Sequence, residues 1–213
     1  MILNKDKALK IADFLLQIKA VKLQPNDPFT WASGWKSPIY CDNRKTLSYP
    51  KIRTAIRQTF AEQIAERFTN IDVIAGVATG GIAIGALVAE EMGLPFIYIR
   101  SSAKGHGLGN QVEGAYEAGQ RVVVIEDLIS TGGSSLQAIE ALREAKMEVL
   151  GLSAIFTYGF DKAVANFANS NCEFFTLSDY DHLIEQAKNT NYVSESDIDS
   201  LKEWKANPQI WKQ

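Results

Sequence analysis

From Ile71 onward the chain alternates two kinds of segment, and that alternation limits its folds more than any other feature. Short, continuously apolar, β-branched runs stand at 71–78 (IDVIAGVA), 96–100 (FIYIR), 121–126 (RVVVIE), 148–158 (EVLGLSAIFTY) and 173–177 (EFFTL). Between them lie helical patterns at 80–93, closed by Gly93 and followed by Pro95, and at 132–145. A strand apolar on both faces must be covered on both faces. Strands that alternate with helices join in parallel. The expected fold is therefore α/β, a mostly parallel central sheet with helices on both faces, its core spanning 71–178.

Three further segments frame this core. Leu9, Ala12, Leu15 and Ile18 predict a helix over 5–20. A segment rich in Pro, Gly and aromatics follows. Ser48 is expected to cap a second helix with Pro50 in its first turn, and Ile52, Ile56, Phe60, Ile64 and Phe68 recur along it. A tail helix is expected from Ser194 to Trp204. The 213 residues are read as one domain, with 1–47 as an N-terminal helix and irregular cover. One insertion interrupts the rhythm: 101–119 holds five glycines, with Lys104 and His106 among them. An unstructured connection of that length in a compact domain is a functional lid or a solvated hairpin, and the residues alone leave both open.

Ligands of open α/β sheets collect beyond the carboxyl ends of the strands. Three stretches converge there: 78–81, the segment from Arg100, and VVVIEDLISTGGSS at 122–135. In the last, glycines let backbone N–H groups turn toward one point, a helix begins, and Thr131, Ser134 and Ser135 add hydroxyls. That combination suits a phosphate. No G-x-x-x-x-G-K-[ST] occurs, and GHGLGN misses the dinucleotide fingerprint at its last position. A sugar phosphate therefore fits better than a hydrolysed triphosphate. Glu126 and Asp127 sit beside this loop and would repel the phosphate unless something neutral or cationic lay between; ribose hydroxyls meet the first need and Mg²⁺ the second. Both acids reach one ligand only if the chain leaves the sheet at that point. The alternative is that Asp127 simply caps the next turn.

Bulk properties remove other classes. A net charge of -3 gives no general reason to expect nucleic acid or an anionic membrane. Cys41 and Cys172 stand far apart in no C-x-x-C pair, which suits a reducing cytoplasm and argues against a zinc site. The N-terminal residues lack a signal-peptide core, and the most apolar stretch, 82–89, is too short to span a bilayer.

The acidic-pair segment resembles the PRPP-binding motif of the type I phosphoribosyltransferases. FTWASGWKSPIYCDNRKTLSYP (29–50) is similar to the N-terminal hood, and RSSAKGHGLGNQVEG (100–114) to the catalytic loop, of the orotate-specific members of Bacillus-like form. The resemblance implies transfer of the phosphoribosyl group of PRPP to orotate, giving orotidine 5′-monophosphate and pyrophosphate in pyrimidine biosynthesis. It implies a homodimer with shared sites, Mg²⁺ carried mainly on PRPP with few or no protein ligands, and a long flexible loop over 101–119. Carried over by position, the catalytic residues would be Lys104, Glu126 and Asp127. Glu126, Asp127, Leu128, Ile129, Ser130, Thr131, Gly132, Gly133 and Ser134 would bind PRPP, the two acids at the ribose and 130–134 at the 5′-phosphate. Arg100, Lys104 and His106 would engage pyrophosphate, Ala78, Thr79 and Gly80 would form the pyrophosphate turn, and Ser130 would touch orotate. The chain departs from the enterobacterial pattern at Ser101, Gly80, Ala32, Ile39–Tyr40 and around Tyr158–Phe160, so Lys36 and Arg44 stand either as substitutes for orotate contacts or as plain surface charges. A PRPP-binding regulator of nucleic acid and a purine-specific enzyme are the competing readings. His182, Asp179, Asp181, Trp31, Trp35 and Cys41 are read as structural.

Overall fold

The structure, a computed structural model, describes residues 1–31, 34–101 and 111–212. Ahead of the core lie α1 (Lys5–Gln17), β1 (Val21–Leu23), β2 (Phe29–Thr30), β3 (Lys36–Ser37), β4 (Ile39–Cys41), a 3₁₀ helix (Asn43–Ser48) and α2 (Pro50–Arg67). The core follows as β5 (Val73–Val77), α3 (Gly80–Met92), β6 (Phe96–Ile99), β7 (Val112–Glu113), β8 (Arg121–Ile129), α4 (Gly133–Glu144), β9 (Glu148–Thr157), α5 (Asp161–Asn169) and β10 (Phe174–Asp179). Then come α6 (Tyr180–Asn189) and α7 (Asp197–Ala206).

Six strands form one sheet in the order β10-β9-β8-β5-β6-β7, parallel throughout except β7, which pairs antiparallel with β6. Edge strand β7 lies within the segment expected as loop. Alternation along β8 explains the two layers of helices. Val123 and Ile125 join the cluster made with α1, α2, α3, α6 and α7, while Val122 and Val124 join Ile139 and Leu142 of α4 and Phe167 of α5. The unbroken apolar runs are thus buried on both faces, as expected for a covered parallel sheet.

The helix ends differ from the sequence expectation in two places. Ser48 closes the 3₁₀ turn instead of capping α2. Tyr49 takes the cap position without a side-chain bond, and Pro50, which has no N–H to satisfy, opens the helix. The tail helix begins at Asp197, because Ser194 donates from both its N–H and its Oγ (2.6 Å) to Asp197 Oδ2 and spends those residues on a turn.

Trp204 of α7 is the keystone between the tail, the sheet and the N-terminal segment. Its ring lies 5.7 Å from Trp31, 5.8 Å from Tyr158, 5.5 Å from Phe160 and 5.2 Å from Tyr180, and it is 1% exposed. The Tyr180 hydroxyl donates to the Leu201 carbonyl in the same layer at 3.0 Å. Trp204→Ala should lower unfolding free energy by about 3–5 kcal/mol, read as a fall in urea midpoint at unchanged slope. A loss below about 1 kcal/mol would show that the aromatic layer is not what holds the tail.

Candidate functional site

Strand order reverses between β5 and β8. The chain leaves β5 through α3 to β6 on one side, and β8 through α4 to β9 on the other. A crevice opens at such a switch point beyond the carboxyl ends, and the first turn of α3 closes its floor. A Cβ on Gly81 would stand 2.4 Å from the Ile125 carbonyl oxygen, so the helix start packs directly on the backbone of β8. A Cβ on Gly80 would fall 2.2 Å from the Asp127 carboxyl carbon. Gly80 therefore leaves the space that the Asp127 carboxylate occupies. The preceding Ala78–Thr79 peptide is cis.

The acidic pair differs from the expectation that it marks the exit from the sheet: β8 continues to Ile129, and Glu126 and Asp127 lie inside the strand. Glu126 is 4% exposed; its Oε1 accepts from Asp127 N–H (2.9 Å) and its Oε2 from Ser135 Oγ (3.2 Å). Burial holds the Glu126 carboxyl well above the usual carboxylate range, and the adjacent Asp127 pushes it further. Burial and a neighbouring carboxyl both disfavour the charged form of Glu126. The sequence reading placed Ser135 among the hydroxyls of the anion pocket. Its hydroxyl instead faces Glu126, because the first turn of α4 directs residue 135 inward and leaves Thr131 and Ser134 exposed.

The loop between β8 and α4 is held from behind. Gly132 caps α4 in the left-handed conformation (φ 83°), and a Cβ there would meet the Phe167 ring at 2.8 Å. Asn166 Nδ2 donates to the Thr131 carbonyl (2.9 Å), and Thr157 Oγ1 donates to that of Ile129 (3.1 Å). Residues 130–134 thus present their outer side and the N-terminus of a 12-residue helix to the crevice.

Ala78, Thr79, Tyr98, Arg100 and Glu113 line a separate cavity of about 460 Å³ at the β5–β6 end. Arg100 Nη1 stands 3.5 Å from Glu113 Oε1, too long for a good hydrogen bond, and is otherwise without a partner among the described residues. Lys104 and His106 lie outside the described residues, as does Ala32.

Sequence reading missed Asn43. This residue is 1% exposed, and its Nδ2 donates to the Asp127 carbonyl at 2.6 Å, tying the N-terminal segment to the acidic pair across 84 positions. Its Oδ1 accepts from Cys41 Sγ at 3.3 Å. Burial pushes the Cys41 thiol far up, which keeps it neutral and fits a structural role. Lys36 donates to Thr30 Oγ1 (3.0 Å) and Arg44 pairs with Asp42 (2.7 Å). Trp31 stacks on Tyr158, with its indole N–H on the Ile39 carbonyl. Asp179 caps α6 and accepts from His182.

A raised acid has a definite sign in stability. The native state keeps a proton that the unfolded chain has released, so Glu126's contribution is full below the unfolded pKa and is lost as pH rises through the folded one. Glu126→Gln should therefore gain on the ligand-free wild type between about pH 5 and about pH 8, by no more than about 1.4 kcal/mol per unit. Urea unfolding at several pH values measures this. A wild type–variant difference that does not move with pH contradicts it.

The described residues contain no helix long and apolar enough to cross a membrane. The family model described as a phosphoribosyl transferase domain matches residues 45–188. An orotate phosphoribosyltransferase of Listeria innocua is 59% identical over 202 residues, 95% of this chain and 97% of that protein. One of Porphyromonas gingivalis is 57% identical over 94% of this chain and 96% of that protein. Among solved structures, orotate phosphoribosyltransferase from Aeropyrum pernix matches with TM-score 0.75 and 27% identity, over 86% of this chain and 99% of that one. Leishmania donovani UMP synthase matches with TM-score 0.79 and 28% identity, over 93% of this chain and 42% of that longer one. By this family match and these full-length identities the chain belongs to the phosphoribosyl transferase domain family, within it to the orotate phosphoribosyltransferases.

Proposed function

We propose that the chain transfers the phosphoribosyl group of PRPP to orotate, releasing pyrophosphate and forming orotidine 5′-monophosphate for pyrimidine biosynthesis. The observation that carries this is the meeting, at one switch point, of the Glu126–Asp127 pair with the anion loop 130–134 and the 78–80 turn. The 5′-phosphate sits on the N–H groups of 130–134 and the start of α4. Although the strand continues past them, the Glu126 and Asp127 carboxyls meet each other, and the ribose hydroxyls lie against that pair. Protonated Glu126 removes one negative charge from beside the phosphate and donates, while Asp127 accepts. The diphosphate points to Ala78–Gly80 and to Arg100, a cation lining the same cavity as Ala78 and Thr79.

Nitrogen N1 of orotate attacks C1 of the ribose as the bond from C1 to the pyrophosphate oxygen breaks. The electron pair of the broken bond departs on pyrophosphate, and the N1 proton passes to that leaving group or, through it, to water. Positive charge builds on the ring, where Asp127 lies, and negative charge on the leaving group, where Arg100 and the loop cations Lys104 and His106 act. The donor set fits Mg²⁺ that rides on the substrate: the pair offers few carboxylate oxygens beyond those Glu126 spends on Ser135 and the Asp127 N–H, and Mg²⁺ commonly takes one or two carboxylates with phosphates and water. When bound, the ion neutralises charge on the diphosphate. The enzyme acts as a homodimer in which the loop over 101–119 covers the neighbouring site, in a reducing cytoplasm that suits its two free cysteines.

Orotate absorbance should fall only when PRPP and Mg²⁺ are both present, with no turnover of uracil, adenine or hypoxanthine. PRPP binding without turnover of any base would make the chain a PRPP sensor instead. Lys104→Ala should lower kcat far more than PRPP affinity. Mixed one to one with Asp127→Ala, it should recover about a quarter of wild-type activity if loops act across the dimer, and none if each loop serves its own site.

A further inference from the structure

We propose that Lys205, on the C-terminal helix α7, is the cation that selects the carboxylate of orotate; this rests on the reading that orotate is the substrate. A cavity of about 480 Å³ opens beside the phosphate loop and shares Ser130 and Thr131 with it. Trp31, Trp35 and Phe160 supply its aromatic walls. Flat walls and a few polar groups suit a planar heterocycle, and the volume lies within the ordinary range of small-ligand sites. The ring of a base placed there lies next to the loop that holds the sugar phosphate.

Three lysines and one acid ring this cavity: Lys162, Lys202, Lys205 and Asp161. Lys162, Lys202 and Asp161 are exposed, so water screens their charges. Lys205 differs. Its side chain is 27% exposed, and its Nζ is held 2.5 Å from Asp181 Oδ2. Its Cε and Nζ lie over Gly159, each 3.5 Å from the position a Cβ there would take. An ammonium has three donors, and Asp181 takes one. Asp181 is itself 67% exposed, so the pair contributes little on its own and leaves the charge of Lys205 available to a drier anion. The hood cations are engaged elsewhere, Lys36 on Thr30 and Arg44 on Asp42.

Orotate differs from uracil only in its carboxylate, so a cation at the wall of the base cavity, within reach of its contents, separates the two. Trp204, one residue earlier on α7, anchors the helix that carries Lys205.

The test compares three variants of the full chain. Lys205→Met keeps the aliphatic stem and removes the charge. It should raise KM for orotate by about tenfold or more, leave KM for PRPP within about twofold, and leave inhibition by uracil unchanged. Lys205→Arg should restore most of the orotate affinity. Asp181→Asn breaks the same ion pair but keeps the cation, so KM for orotate should stay near wild type. An unchanged orotate KM in Lys205→Met, parallel loss of PRPP and uracil binding, or an equal effect from Asp181→Asn would overturn the proposal. A structure of the wild type with orotate gives an answer free of any folding defect: Nζ within about 3.2 Å of the carboxylate supports it, and orotate bound with its carboxylate directed elsewhere overturns it. Absence of orotate turnover in the wild type would instead remove the functional reading on which the proposal rests.

Discussion

The direct contact between the start of α3 and the backbone of β8 governs the rest of the site. With Gly81 against the Ile125 carbonyl and Gly80 under the Asp127 carboxylate, the turn after β5 and the acids of β8 meet without intervening side chains. Any larger residue at 81 would push the helix off the strand, widening the crevice into which both chain ends open. The same closeness lets one ligand touch the 78–80 turn and the acidic pair together. The architecture of the sheet supplies the switch point, and these two glycines bring its two banks within reach of one molecule.

Electrostatics follow from that geometry. Two carboxyls packed beside an anion loop would repel both each other and a phosphate. Burial of Glu126 beneath the strand and the neighbouring Asp127 carboxyl favour its neutral form, outweighing the hydrogen bonds from Ser135 and the Asp127 N–H that favour the ionised one, and so reduce the negative charge beside the loop. Asn43 then fixes the Asp127 backbone from the hood, and Asn166 and Thr157 fix the phosphate loop from β9 and α5. The acidic pair and the 130–134 loop are therefore braced from the hood and from the neighbouring elements.

Much of this was legible in the sequence because it is local. Apolar runs such as 121–126 reveal a strand covered on both faces, and Gly93 with Pro95 ends a helix wherever it lies. The acids and glycines of 126–134 are contiguous, so their chemistry could be read together. The extension of β8 to Ile129 could not be read, since acids disfavour a strand locally and tertiary pairing with β9 overrides that preference. Asn43 and Lys205 carry no local signal at all. Asn43 meets Asp127 across 84 positions, and Lys205 reaches the cavity only because Trp204 docks α7 onto the sheet. Ser135 was assigned to the wrong partner because the inward or outward aim of a first-turn hydroxyl depends on how α4 packs on its sheet. Lys104 and His106 lie outside the described residues, and their roles rest on the resemblance of the loop.

The central claim is that the β5–β8 crevice is where PRPP sits, with its ribose on the acidic pair. A crystal structure of the protein with PRPP and Mg²⁺ tests it most directly. The 5′-phosphate is predicted on the N–H groups of 130–134, the 2′ and 3′ hydroxyls within hydrogen-bond distance of Glu126 and Asp127, and the diphosphate between Ala78–Gly80 and Arg100. PRPP bound outside that crevice, or with its sugar turned away from both acids, would contradict the account.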